Sequence, residues 1–383
     1  MSKPPLILAI DDDENEVRPK IPDGYALEVV DPKSDREVFA QLMSKLVGEA
    51  CLILLDQKFH DTPISISLDA QDGSSFVSHL RSWSRFNKQP LAPIIMFTND
   101  VEVFANEVPA VGPALPVEGS FVNREHRLAP ALDVEWILFK NDERATQRLA
   151  NLAEAFQEIR DGVGNDGASL DEILQILNAP TDCVWSEQAG EELQNARPPV
   201  DQTEEGTSQS ARGASQIMRW LCHKALPYPG VFLSDFYAAW ALGISAEDFR
   251  KIADLAPSTD WLAELKRAKY TGPLESLMGR RWWRPGIDQL VWLLDEATAK
   301  SGTRLEGLGL AVPGFQFGEL KPSSSHVVIC DEDLLESEIG TIEEAIQVHP
   351  PGWPAEALEP WMLKAEVKAD PVLTAMADPN DLV

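Results

Sequence analysis

Cysteine is scarce in this chain of 383 residues, where Cys51, Cys183, Cys222 and Cys330 are the full complement. No two share a Cys-x-x-Cys spacing, which excludes a zinc ribbon and a thioredoxin-type motif. Thiols scattered this widely point to free cysteines in a reducing compartment. Histidine is sparse too. The six histidines form neither a His-Glu-x-x-His nor a His-x-His pattern, and the neighbours Cys222 and His223 lack the further ligands a metal needs, so packing is their expected role. Long apolar runs are missing: no stretch reaches the ~18 residues that span a bilayer. The opening Met-Ser-Lys-Pro-Pro lacks the apolar core of a secretory signal. Basic charge is the last shortage. Against 62 acidic residues stand 33 lysines and arginines, a net charge of −29. That balance argues against a general nucleic-acid binder, which needs a basic face, and against an anionic membrane surface. The expected location is cytoplasmic.

The acidic excess is uneven. Residues 1–213 carry 18 basic and 37 acidic side chains, residues 214–330 carry 13 and 12, and residues 331–383 carry 2 and 13. An acidic front, a neutral middle and an acidic tail suggest a first domain over 1–162. A connecting segment and flexible linker would cover 163–215, and a Trp-rich helical module with an acidic tail 216–383. The stretch Asn195 to Ser215 is Pro, Gly, Ser, Thr and Gln with almost nothing apolar, the composition of a linker.

The front alternates in type. Strand candidates are Leu6–Ile10, Ala26–Val30, Cys51–Leu55, Pro93–Phe97 and Val134–Phe139. Between them lie helical patterns: Ser34 to Val47, opened by a Ser34/Glu37 capping-box spacing, and Ser74 to Arg85. Asp142 to Arg160 closes the series, with Leu149, Leu152, Ala153, Phe156 and Ile159 as an apolar stripe. Strands alternating with helices predict an α/β fold, a doubly wound five-stranded parallel sheet. Such sheets place ligands at the carboxyl ends of their strands.

Those ends are polar in a particular way. Strand one runs into Asp11, Asp12 and Asp13, strand three into Asp56, strand four into Thr98 and strand five into Lys140. Carboxylates gathered at neutral pH repel unless a cation joins them, and Mg²⁺ accepts one or two carboxylates together with phosphate oxygens. A carboxylate beside the metal can attack phosphorus and form an acyl phosphate. A lysine and a hydroxyl can then stabilise the phosphoryl oxygens.

The pieces LILAIDD (6–12), LILLD (52–56), DGSSFVSHLR (72–81), IIMFT (94–98) and WILFK (136–140) together resemble the response-regulator receiver domain of two-component signalling, in that family's order. The resemblance implies a flavodoxin-like fold over 1–162 with Asp56 as phosphoacceptor. It further implies Mg²⁺ held by Asp11, Asp12, Asp56 and the backbone carbonyl of Lys58, with Thr98 as the switch hydroxyl and Lys140 as the phosphate-binding lysine. The implied donor is a histidine kinase or phosphotransfer protein. The chain departs from the family where Pro19 and Pro22 interrupt the first helix, and in the long stretches 56–73 and 101–133. Asn141 follows Lys140 where the family has proline, and Ile137 takes the aromatic switch position, with Trp136 one place off. A pseudo-receiver used for protein contact is an alternative. So is a haloacid-dehalogenase-type phosphatase with Asp11 as nucleophile and Asp13 as acid/base, although Asn15 and the lack of a further acidic motif near residue 160 weigh against it.

The C-terminal part shows helical spacing over 217–226, 234–242, 246–255, 261–268 and 286–299, then a strand candidate at Val327–Cys330. Ala239 to Ser245 has the spacing of a helix-turn-helix, yet the following AEDFRKIADLA is more acidic than basic. Arg280-Arg281-Trp282-Trp283-Arg284 mixes basic and aromatic residues, suited to single strands, to a protein interface or to packing. With the chain this acidic, contact with an unidentified protein partner or plain packing is expected. No catalytic constellation stands out in this part, and the chain as a whole is expected to act as a phosphoacceptor rather than as a turnover enzyme.

Overall fold

The computed structural model describes residues 3–32, 36–58, 72–87, 91–99, 129–163, 168–200, 213–298, 303–317, 325–332 and 334–382. The chain divides into two compact units, one of residues 1–176 with 198–227, the other of 177–197 with 228–383. The predicted Ser34 cap and most of the long 101–133 stretch lie outside the described residues.

The first unit is built on a five-stranded sheet, β1 (Leu6–Ile10), β2 (Ala26–Val30), β3 (Ala50–Leu55), β4 (Ile94–Thr98) and β5 (Trp136–Phe139). Every pairing is parallel and the order is β2-β1-β3-β4-β5, the flavodoxin-like arrangement, with its topological switch point between β1 and β3. Strands β1, β3 and β4 are buried along their whole length. That explains their unbroken apolar runs, since a parallel strand covered on both faces needs no alternation. Between β1 and β2 the helix is a single turn, α1 (Glu14–Val17), followed by a 3₁₀ turn over Arg18–Lys20 with Pro19 at its start. Pro22 follows at once, so no longer helix can form. Three longer helices follow β2, β3 and β5: α2 (Arg36–Leu46), α3 (Gly73–Asn87) and α4 (Ala145–Gly162). On α4 the predicted stripe of Leu149, Leu152, Ala153, Phe156 and Ile159 is buried.

Two helices assigned by composition to the connector or the C-terminal module belong to this unit: α5 (Leu170–Ile176) and α7 (Gly213–Trp220), which both pack on α4. Charge balance describes surfaces. The partner of a helix is set by its apolar face, here Ile173 and Ile176 on α5 and Ile217, Met218 and Trp220 on α7. A π-helical turn, Leu221–Ala225, extends α7. It buries Cys222 and His223, whose expected role was packing, and burial pushes the His223 imidazole down to about 4. Arg219 on α7 bonds to Asp133, beside a buried ion pair between Arg81 Nη2 and Glu135 Oε1 at 2.7 Å. The Glu135 carboxylate also accepts from the Ile94 amide at 2.6 Å.

The second unit is mainly helical, as expected, and carries short strands besides. A two-stranded antiparallel ladder joins β6 (Phe232–Leu233) to β7 (Trp282–Trp283). Around it stand α6 (Ser186–Asn195), α8 (Asp235–Leu242), α9 (Ala246–Ala253), α10 (Asp260–Ala268), α11 (Glu275–Met278), α12 (Arg284–Thr298) and α13 (Arg304–Ala311). Ser234, Ser245 and Thr259 cap α8, α9 and α10 with their hydroxyls, as Ser and Thr do best. Gly243, at φ 75°, ends α8 in the left-handed conformation that favours glycine. The Arg/Trp run is structural. Trp282 and Trp283 are fully buried, Trp282 Nε1 donates to Asp235 Oδ1 at 2.8 Å, and Arg280 bonds both Asp235 and Asp254. Rings sealed in a core can neither stack on bases nor anchor a partner.

The acidic tail is folded as well. It holds β8 (His326–Cys330), β9 (Glu336–Thr341), β10 (Ala345–Gln347) and β11 (Trp361–Leu363) in a mixed sheet of order β10-β11-β8-β9. Helices α14 (Lys364–Ala369) and α15 (Pro371–Met376) follow. Cys330, Ile346, Val348, Met362, Val367 and Leu373 form its core. Short strands with acidic exposed positions hide this core from a composition count. No helix among the described residues is long and apolar enough to cross a membrane.

Glu135 supplies a test of how the first unit is held. Replacing it by Ala leaves the Ile94 amide unpaired and removes the carboxylate facing Arg81, a loss of about 3 kcal/mol. The first unit of Glu135→Ala should melt roughly 6–12 °C below wild type, and a drop under about 2 °C would show that the pair is dispensable.

Candidate functional site

The parallel register brings the strand ends into one row. The Asp56 amide donates to Ile10 O at 3.0 Å, the Asp11 amide to Val30 O at 3.3 Å and the Lys140 amide to Thr98 O at 3.2 Å. Each polar residue therefore begins where its strand stops, and the ladder continues one residue beyond the apolar run. Asp11 and Asp56 flank the switch point between β1 and β3, where the chains leaving the two strands diverge and open a crevice.

Asp11, Asp12 and Asp56 each offer a carboxylate oxygen, and the three oxygens lie within 4.8 Å of one another. Asp11 and Asp56 are buried, whereas Asp12 is exposed and opens the group to solvent. Lys140, also buried, reaches over them. Its Nζ lies 2.7 Å from Asp11 Oδ2, 3.4 Å from Asp56 Oδ2 and 3.4 Å from Glu16 Oε2. Thr98 is fully buried and its side chain hydrogen-bonds the Asp56 carboxylate. Two backbone amides complete the frame: Asp13 N donates to Asp11 Oδ1 and Gln57 N to Asp56 Oδ1, both at 2.9 Å.

The electrostatics follow from burial. Desolvation pushes Asp56 up to about 6. The Lys140 charge opposes that rise, the Asp11 charge adds to it, and the bonds from Thr98 and Gln57 oppose it. Burial also raises Asp11, against its hydrogen bond to Lys140. Burial alone would lower Lys140, but the bond to Asp11 and the charges of Asp56, Asp11 and Glu16 outweigh it, so the ammonium is held above its ordinary value. Gathered around one ammonium, the three carboxyl groups carry at full charge two negative charges in excess. A small divalent cation with oxygen preference would cancel them, and the close oxygens with one exposed member suit such an ion.

The five side chains singled out from sequence thus meet at one place: Asp11, Asp12, Asp56, Thr98 and Lys140. Lys58 sits two residues beyond Asp56 and pairs with Asp72 in an isolated antiparallel bridge. Asp13 points its carboxylate elsewhere, accepting from the Asn15 amide to cap α1. Two neighbours were not legible. Glu16, on the one-turn helix α1, reaches Lys140. Gln57 is buried, and its side chain accepts from the first turn of α3. Its place beside Asp56 was the single signal, and a lone glutamine after a strand is a weak one.

No family model matches this chain, and no curated protein matches it. Among solved structures, a fusion carrying the yeast Spc42 trimeric coiled coil is similar over 51% of this chain and 94% of that chain, at 14% identity and a TM-score of 0.25. A likeness that low carries no argument about fold or function.

The raised Asp56 gives a pH test. Its folded value lies above its unfolded one, so between about pH 4 and 6 the unfolded chain gives up this proton first and stability falls as pH rises. Asp56→Asn removes that cost. In chelator, the variant should be more stable than wild type by about 2–3 kcal/mol near pH 8, and the gap should close toward pH 4. An equal gap at both ends would contradict a buried, proton-holding Asp56.

Proposed function

We propose that the first unit is an atypical receiver. It would accept a phosphoryl group on Asp56 from a histidine kinase or phosphotransfer protein, with Mg²⁺ as cofactor. The second unit would convey the change by contact with another protein. The carrying observation is the convergence of three carboxylates, a lysine and a buried threonine hydroxyl at the switch point of a flavodoxin-like sheet. Fold alone would not license this, because one fold hosts many functions. The residue set at the strand ends is what favours phosphoryl chemistry.

Asp11, Asp12, Asp56 and the Lys58 carbonyl are the groups that would hold Mg²⁺. Bound there, the ion would offset charge on the phosphoryl oxygens. The chain's own residues do the rest. An oxygen of Asp56 attacks phosphorus while the bond to the donor's imidazole nitrogen breaks, and the electron pair leaves with that nitrogen. Burial strips Asp56 of water, and the Gln57 amide on Oδ1 fixes the carboxylate so that Oδ2 faces Lys140. Lys140 then trades carboxylate contacts for a phosphoryl oxygen, and the Thr98 hydroxyl donates to another. Both lie at the ends of neighbouring strands, so their movement would shift β4 and β5 together.

The reading as a receiver fold without phosphorylation draws on the one-turn α1 and on Glu16, a third carboxylate already on Lys140. The dehalogenase-type reading lacks support, since the Asp13 carboxylate is spent on capping α1.

Binding of beryllofluoride, an acyl-phosphate mimic, separates these readings. With Mg²⁺ saturating and the mimic at about a hundred times its own dissociation constant, the mimic should stabilise wild type by about 2.7 kcal/mol. The first unit then melts several degrees higher, and Asp56→Asn shows no rise. Absence of a rise in wild type would overturn phosphoryl acceptance and leave the unswitched reading.

A further inference from the structure

The residue after Asp56 is built into the site in a way that composition and motif do not foresee. Gln57 is buried, 6% exposed, and three hydrogen bonds from the start of α3 converge on it. Gly73 N donates to its backbone carbonyl at 2.9 Å. Ser74 N and Ser74 Oγ donate to its side-chain Oε1 at 3.2 and 3.0 Å. The first amides of a helix have no partner within it. Here Asp72 takes the Ser75 amide at 2.7 Å, and Gln57 takes the Ser74 amide from across the chain. Gly73 has no room for a side chain, because a Cβ there would run into the Asp56 carbonyl. Main chain and side chain of residue 57 are therefore both pinned by α3, and with them the direction of its amide, which donates to Asp56 Oδ1 at 2.9 Å.

We propose that Gln57 is a positioning residue for phosphoryl acceptance. By accepting from Ser74 it holds its own amide on Asp56 Oδ1, leaving Oδ2 turned toward Lys140 as the attacking oxygen. The inference rests on the receiver reading and adds to it a part for α3. The helix following the acceptor strand sets the orientation of the acceptor carboxylate through one side chain. Removing the Gln57 acceptor leaves the strand ends in place and frees the carboxylate to rotate. Cation binding, which takes either oxygen, should suffer little, while in-line attack, which needs one oxygen aimed, should suffer more.

The test is acyl-phosphate formation on the full chain with acetyl phosphate and saturating Mg²⁺, compared across Gln57→Met, Gln57→Glu and Ser74→Ala. Met keeps the length and loses the acceptor, and the loss of both bonds from Ser74 should slow formation by about fivefold or more. Glu restores an acceptor for both Ser74 donors and should stay within about twofold of wild type. Ser74→Ala removes one donor and should fall between. The Mg²⁺ dissociation constant, read by titration, should move by less than about twofold in all three. Labelling of Gln57→Met at the wild-type rate overturns the positioning role and leaves the receiver reading intact. Equal losses in rate and Mg²⁺ affinity, without rescue by Glu, also overturn it, since they mark a merely structural residue. No label on wild type removes the receiver reading and this role with it. If Gln57→Met does not fold, Ser74→Ala decides alone: a wild-type rate there is the contrary result.

Discussion

A single buried ammonium stands against several carboxylates at the end of this sheet, and the site follows from that imbalance. Lys140 lies within 3.4 Å of Asp11, Asp56 and Glu16, yet one positive charge cannot balance them and Asp12 as well. Burial of like charges is costly unless they are paired or share a proton. Burial raises Asp56 to about 6, and Asp12 stays open to solvent, where a cation can enter. The same imbalance is the reason the resting site suits a divalent cation.

The sheet makes this arrangement with little more than parallel register. Because the amides of Asp11, Asp56 and Lys140 each continue a ladder, three residues far apart in the chain reach one level at the switch point. This much was legible in the sequence, since an apolar run buried on both faces must stop abruptly where its strand leaves the core. The runs at 6–10, 51–55, 93–97 and 134–139 all stop on a polar residue. What could not be read were contacts that depend on short or distant geometry. Glu16, within the one-turn α1, meets Lys140 from 124 positions away. Gln57 meets Ser74 across a 17-position separation, and no local pattern marks that pair.

The C-terminal part shows where composition misleads. The Arg/Trp run is open by sequence to a protein interface or to packing, and in the fold its tryptophans close the core while Arg280 bonds Asp235 and Asp254. Within the acidic tail, strands of three to six residues suffice to form a sheet, and Ile346, Val348 and Met362 belong to one core. Net charge counts side chains on the outside, whereas a fold is fixed by the fewer that point in. The same distinction explains why α7 packs with the parallel sheet's unit, although composition placed most of it with the C-terminal module. It is the apolar face of α7, docked on α4, that decides.

The most direct measurement is the site of the acyl phosphate itself. The chain would be incubated with a small phosphodonor and Mg²⁺, reduced with borohydride and digested, and the peptides read by mass spectrometry. Borohydride converts a phosphorylated aspartate to homoserine, which marks the residue that carried the group. Conversion confined to Asp56 is the outcome this account predicts. Conversion at Asp11 would point instead to dehalogenase-type chemistry, and conversion at neither would contradict phosphoryl acceptance by this site.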